Sequence, residues 1–377
     1  MKINLTIPRS WNACTTAQLE LISDVIREQV ERQDRYHPFS MQNVKIALFF
    51  ALSGIEIVAG PDPRVPVEEQ FYLCRLQSHR SPKFRFWSLL RFCISQPFSA
   101  GQKSDTFPLY LWQINYWING SPLDSKGKLK SPSHKGEGRG GALGILDWLD
   151  NESGSFLTKF PYPLIKRHRA SHFSLFTFYF SHKSFQGPEP ELSGFTWSQY
   201  RLATEAIQNY MQLSNNLVIM KQRGTFTDEQ MLQQAQSVDI AKSYFLATIF
   251  NAKTKFVDTS TGMTKFDYHY QNDQITENSP YFRNYPDTQW QVILFWWTGI
   301  MHTLSKRYPH VFKVQKVNKN PKPSSALEIY TATIATMQKY VGLNEQECNN
   351  QTYSATLEQL ERMSKENEEL EKIRKKK

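Results

Sequence analysis

The sequence predicts a mainly α fold: helical hairpins or bundles with a few short strands, and a suggested internal duplication of a helical unit. Three observations predict it. Apolar residues recur at helical spacing along much of the chain, as in Leu19, Ile22, Val25, Ile26 and Val30. Three such runs open on a Thr-x-x-Gln capping box, at Thr15–Gln18, Thr196–Gln199 and Thr227–Gln230. Strand signals are confined to short stretches, the alternation Ile3, Leu5, Ile7 before Pro8 and the aromatic run Phe173 to Phe180.

Taken in order, the elements follow from local chemistry. The box at Thr15 starts a first helix. A second is expected from about Met41 to Val58, stopped by Pro61, Pro63 and Pro66. Residues 67–120 mix aromatic and basic side chains, with Trp112, Tyr116 and Trp117 on one segment. Ser121 to Gly141 is rich in Gly, Ser, Pro and Lys and is expected to be an exposed, mobile loop. Ala142 to Leu149 suits a short helix. The second half carries capped helices from Thr196 and from Thr227 to Ile249, then a polar loop from Asp258 to Tyr285. A helix with a wide apolar face follows from Asp287 to Arg307 through Trp290, Ile293, Trp297 and Ile300. Another runs from Ala326 to Tyr340, stopped near Gly342. A charged tail with near-heptad apolar residues at Leu357, Leu360, Met363, Leu370 and Ile373 closes the chain.

Five segments result: 1–66, a strand plus a helical hairpin; 67–190, the aromatic and basic middle; 191–256, a second hairpin; 257–345, a C-terminal helical region; and 346–377, the tail. The hairpins resemble each other. In both, a capped amphipathic helix precedes an apolar helix carrying Lys, then Phe and Ala: Lys45, Phe50, Ala51 in one and Lys242, Phe245, Ala247 in the other.

With 40% hydrophobic and 14% aromatic residues in 377, the chain has the material for a sizeable core, and disorder throughout is excluded. The cysteines Cys14, Cys74, Cys93 and Cys348 form no Cys-x-x-Cys pair, which argues against a zinc site or a disulfide framework. Met1 to Pro8 is too short and polar for a secretory leader, and no window of 18 apolar residues exists, so no membrane association is expected.

Catalytic patterns are sparse. Gly136, Gly138 and Gly141 match Gly-x-Gly-x-x-Gly, but the Lys-rich residues before them cannot form the buried strand that a dinucleotide site requires. The chain has no phosphate-binding Gly-x-x-x-x-Gly-Lys loop, His-Glu-x-x-His helix or Gly-x-Ser-x-Gly elbow. His168, His172 and His182 are close in sequence but read better as surface than as metal ligands. No cofactor and no metal is expected, and the chain is read as non-enzymatic. A site assembled from distant residues is the remaining catalytic reading, and it would require a deep polar pocket with convergent acids or bases.

The net charge of +10 favours anionic partners and is concentrated in islands. The first, from Arg75 to Arg139, supplies Arg85, Arg91, Lys126, Lys128 and Lys130 as candidate contacts. The second, from Lys159 to Lys183, supplies Lys166, Arg167 and Arg169 and contains no acid. The third, from Lys306 to Lys322, supplies Lys306, Arg307, Lys313, Lys316 and Lys319, again without an acid. Aromatics such as Phe84, Trp87, Tyr308 and Phe312 interleave with them. That mixture suits phosphate contact with base stacking, and it suits an acidic protein surface equally.

The opening Ile7-Pro8-Arg9-Ser10-Trp11-Asn12 with Thr15 to Leu21, the stretch Ala247 to Lys253, and Gln289 to Trp297 with Tyr308-Pro309-His310-Val311-Phe312 resemble proteins encoded in phages and prophages of Bacteroidetes-type bacteria, in the structural and tail-assembly region. The resemblance covers about a third of the chain in patches. It implies a virion component or assembly chaperone, in the host cytoplasm or the virion. It also implies virion or assembly proteins as partners, an oligomer among the expected states, and no catalytic residue to carry over. Nucleic-acid binding in packaging or replication is the alternative.

Overall fold

The computed structural model describes residues 7–31, 39–66, 69–76, 106–119, 145–149, 156–169, 181–257, 264–268, 270, 272–312 and 326–376. Among these are ten α-helices and seven short strands, all paired antiparallel, so the fold is mainly α. The chain divides into two compact units, residues 1–157 and 158–377.

In the first unit, α1 (Thr16–Glu31) opens on the predicted box. The Thr15 amide donates to Gln18 Oε1 at 2.9 Å and the Gln18 amide to Thr15 Oγ1 at 3.3 Å. Helix α2 (Met41–Ser53) is shorter than the sequence suggests. It stops at Gly54, which adopts φ 69°, and β1 (Ile55–Ala59) begins at once. A left-handed residue after the last turn ends a helix, and glycine takes that conformation without steric penalty. The prolines at 61, 63 and 66 therefore follow a strand rather than stopping a helix. Strands β2 (Phe71–Leu76) and β3 (Thr106–Tyr110) complete a sheet of order β1-β2-β3, and α3 (Leu111–Asn119) carries the aromatic segment. The core gathers Ile22, Val44, Leu48, Phe49, Cys74, Ile114 and Ile118. Residues 147–149 form a 3-10 turn, less than the short helix expected there. The strand expected at 3–7 and the aromatic run 173–180 lie outside the described residues, except Ile7, which is not in a strand; the loop 121–141 also lies outside them.

The second unit holds a four-stranded sheet of order β4-β5-β6-β7: Leu164–Arg169, Ser181–Gln186, Asn251–Val257 and Thr264–Tyr268. Helices α4 (Trp197–Arg223) and α5 (Asp228–Ile249) form a long hairpin. The segment read as a polar loop from 258 to 285 instead contains β7, α6 (Gln274–Asn278) and a 3-10 turn, with Tyr281, Phe282 and Tyr285 buried. Phe266, Tyr268 and Tyr270 alternate as a strand would, while Tyr281, Phe282 and Tyr285 become core through packing against β5 and α5. Helix α7 (Asp287–Arg307) spans the expected range. It inserts Trp290, Trp296 and Trp297 among Phe160, Phe245 and Tyr200, with edge-to-face rings such as Phe160 on Trp296 at 4.6 Å. Helix α8 (Ala326–Val341) ends at Gly342 with φ 77°, α9 spans Glu345–Asn350, and α10 (Tyr353–Lys376) forms the tail. Only the first part of α10 is buried, at Tyr353, Thr356, Leu357 and Met363. Lys45 and Lys242, the lysines at matching places in the two hairpins, are both buried.

Candidate functional site

Of the predicted contact residues, Arg85, Arg91, Lys126, Lys128, Lys130, Lys313, Lys316 and Lys319 lie outside the described residues. The other five lie in the second unit. On β4, side chains alternate: Lys166 points to solvent, while Arg167 is half-buried on the opposite face. Arg167 Nε donates to the Tyr281 carbonyl at 3.2 Å, and its guanidinium lies over the Tyr285 ring at 4.9 Å. Burial lowers its pKa, with the Tyr285 interaction opposing that shift. Lys183, its register partner on β5, donates to Asn278 Oδ1 at 3.0 Å and lies 5.3 Å from the Tyr281 ring. Two like charges side by side would repel. Here each is held against the carbonyls and ring faces of the 278–285 segment, so both are largely occupied within the unit. Arg169 ends β4. Lys306 and Arg307 occupy the last turn of α7, where the helix dipole favours cations. Lys306 is exposed, whereas Arg307 faces Glu191 at 3.5 Å, Glu358 at 3.9 Å and the Tyr308 ring. His168 and His182 are register partners on β4 and β5, and His172 lies outside the described residues.

Two features were not predicted. The first is the outer part of the α4–α5 hairpin. Its base is packed: α4 is buried through Ile207 and α5 from Ala241 onward. Between 208 and 240 no residue is buried. From 208 to 223 the helix extends about 24 Å at the usual rise. Leu213, Leu217, Met231 and Val238 are half-buried, and Gln234 Nε2 donates across the hairpin to the Leu213 carbonyl at 2.8 Å. Met211, Val218, Leu232 and Ile240 remain exposed, Leu232 at 59%. The turn is built for stability: Gly224 caps α4 at φ 63°, and Thr227 and Gln230 form a complete capping box.

The second feature is a polar cleft of about 800 Å³ at one end of the second sheet. Antiparallel pairing brings the last residue of β5, Gln186, beside the first of β6, Asn251, and places Tyr268, the last of β7, at the same end. The entry to α4 supplies Thr196 and Ser198, the 270–273 segment supplies Tyr270, Asn272 and Asp273, and α9 supplies Asn350. The lining is organised by hydrogen bonds. Asn272 Nδ2 donates to Ser198 Oγ at 2.9 Å, and the Tyr270 hydroxyl donates to Asn272 Oδ1. Burial, with Tyr244 nearby, raises the pKa of Tyr270, and Arg201 opposes that shift. Gln199, expected to complete a capping box, instead sends its amide to the Thr248 carbonyl at 2.9 Å and Asn251 Oδ1 at 3.3 Å, tying α4 to β6.

The turn that joins the lining residues Glu189 and Ser193 on one wall of the cleft is strained. Glu191 and Leu192 adopt φ of 54° and 58°, a left-handed conformation costly for residues with a Cβ. Complete burial of Leu192, the Tyr353 hydroxyl donating to the Glu191 carbonyl, and an antiparallel bridge between Thr196 and Thr352 hold this corner in place. Glu189, on the same wall, accepts from Ser193 Oγ at 2.7 Å. Glu189 and Asp273 are both exposed, unlike the desolvated carboxyls of general acids and bases. Among the described residues no three His, Cys, Asp or Glu side chains group as metal ligands, and no helix is long and apolar enough to cross a membrane.

Compared with models of known families, with characterised proteins and with solved structures, the chain matches none.

Proposed function

We propose that this chain is a non-enzymatic assembly protein of the phage structural type, acting through protein–protein contacts made by the outer α4–α5 hairpin. The observation that carries this reading is the absence of any buried residue between 208 and 240, on helices that keep Met211, Val218, Leu232 and Ile240 in water. A two-helix hairpin can bury only the seam between its members, and a third or fourth helix is needed to cover the remainder. Covering the exposed part of each of these side chains would contribute on the order of 1 kcal/mol. The arm is also nearly neutral, carrying Lys221, Arg223, Asp228, Glu229 and Asp239 between 208 and 240 in a chain of net charge +10. Its recognition is therefore expected to be apolar and weakly dependent on salt. Of the cations named for the nucleic-acid alternative, Arg167 and Arg307 already have partners within the unit, while Lys166 and Lys306 are exposed.

The test is light scattering on the full chain, alone and mixed with candidate virion proteins. The expected result is self-association or a defined complex that the double variant Val218→Asp, Leu232→Asp abolishes without lowering the melting temperature. A strict monomer that binds none of these proteins overturns the reading, as does a complex indifferent to the double variant.

A further inference from the structure

From the cleft at the end of the second sheet, we infer a binding site for a neutral oligosaccharide. The inference is independent of the hairpin reading and rests on what the lining offers and what it lacks.

The lining supplies amides from Gln186, Asn251, Asn272 and Asn350, hydroxyls from Ser198 and Tyr270, and carboxylates from Glu189 and Asp273. Among the described residues no lysine or arginine lines it, in a chain with ten more cations than anions. Arg201, which acts electrostatically on Tyr270, pairs with Glu205 at 3.3 Å. Phosphate or sulfate recognition depends on cations or convergent backbone amides. An anionic ligand would meet two carboxylates with no compensating side-chain charge among the described residues, and at the start of α4 the Trp197 amide already donates to the Gln351 carbonyl and the Gln199 amide to Thr196 Oγ1. A cationic ligand would find only exposed carboxylates, and exposed ion pairs contribute about 0–1 kcal/mol. A metal ion lacks a ligand group among the described residues.

Neutral sugars match what remains. Each sugar hydroxyl both donates and accepts. Side-chain amides offer both functions from one planar group, and a carboxylate accepts from two adjacent hydroxyls. The apolar faces of a sugar ring need an aromatic surface, and half-buried Tyr268 and Tyr270 both line the cleft. The volume lies within the range of about 300–1,000 Å³ typical of small-molecule sites. Four lining residues are pre-positioned: Tyr270, Asn272 and Ser198 by their mutual bonds, and Asn251 by Gln199. Asp273 and Asn350 are exposed at the rim and have no side-chain hydrogen bond among the described residues, which leaves them for the ligand.

The experiment is calorimetric titration of the full chain with neutral gluco-, galacto- and manno-oligosaccharides. Heparin, a short oligonucleotide and oligolysine serve as charged comparisons. The expected result is saturable binding of at least one neutral oligosaccharide, unaffected by added salt because no counterions are released. Asp273→Ala with Asn350→Ala should weaken it at least tenfold while melting stays unchanged, since both side chains are exposed. The inference is overturned if no neutral oligosaccharide binds, if the double variant binds as well as the parent, or if only a charged probe binds.

Discussion

Replacing Lys242 with Met removes a buried cation from the junction of α5 and the start of α7. Its Nζ lies 3.1 Å from the Tyr285 carbonyl and 3.2 Å from one carboxylate oxygen of each of Asp239 and Asp287. The two ion pairs are not equal to the carbonyl contact. The Asp side chains are 30% and 69% exposed, so water screens them, and each pair contributes no more than about 0.5 kcal/mol. The buried bond from a charged donor to the Tyr285 carbonyl is worth about 1.5–3 kcal/mol. Methionine restores most of the apolar stem packing and avoids the cost of burying an ammonium group. The expected net loss is about 2 kcal/mol, or about 4–8 °C in melting temperature for a unit of this size. Thermal melts of the full chain followed by tryptophan fluorescence measure it, with exposed Lys306→Met as the comparison variant. A cycle with Asp287→Ala should show a coupling below about 1 kcal/mol. If Lys242→Met melts with or above the parent, desolvation of the ammonium outweighs its three contacts and the reasoning fails.

Three further outcomes follow from local geometry. Gly187→Ala would place a Cβ 2.1 Å from the Phe160 ring and 2.7 Å from the Tyr162 carbonyl, so a loss of about 1–3 kcal/mol is expected in urea unfolding; an unchanged midpoint would contradict this packing. Gly224→Ala meets nothing within 4 Å, so its expected cost of about 1–2 kcal/mol is purely conformational, and Gly224→Asn should recover part of it. Burial pushes the Cys14 and Cys74 thiols up to about 12 from their ordinary value of 9.0. They bind their protons more tightly folded than unfolded, so their contribution to stability is full below pH 9 and lost as pH rises toward 12. Urea midpoints that stay level across that range, or rapid reaction of both thiols with a disulfide reagent at neutral pH, would contradict this burial.

Much of the helical layout was legible because its signals are local. The boxes at Thr15 and Thr227 close within four residues, and the apolar face of α7 repeats every turn, so neither needs a distant partner. Reading failed where the deciding partner is far away. The Thr196 box has the right residues, yet Gln199 finds better acceptors on Thr248 and Asn251. Ile55 and Ile57 continue an apolar run, yet Gly54 turns the chain and β2 pairs with it. Arg167 and Lys183 read as free surface cations because nothing nearby in sequence reveals the Tyr281 and Tyr285 rings beneath them.

The cleft lay furthest from the sequence. Gln186, Asn251, Tyr268 and Asn350 come together only through strand register and the docking of α9 at the entry to α4. The sequence alone therefore sufficed for the mainly α class, the capping boxes at Thr15 and Thr227 and the apolar face of α7, because each depends on contacts a few residues apart. Tertiary packing decided which cations are free, where the hairpin leaves the core, and which amides and tyrosines share a cleft. Those depend on pairing between distant segments, whose entropy of closure is overcome only when the whole unit folds.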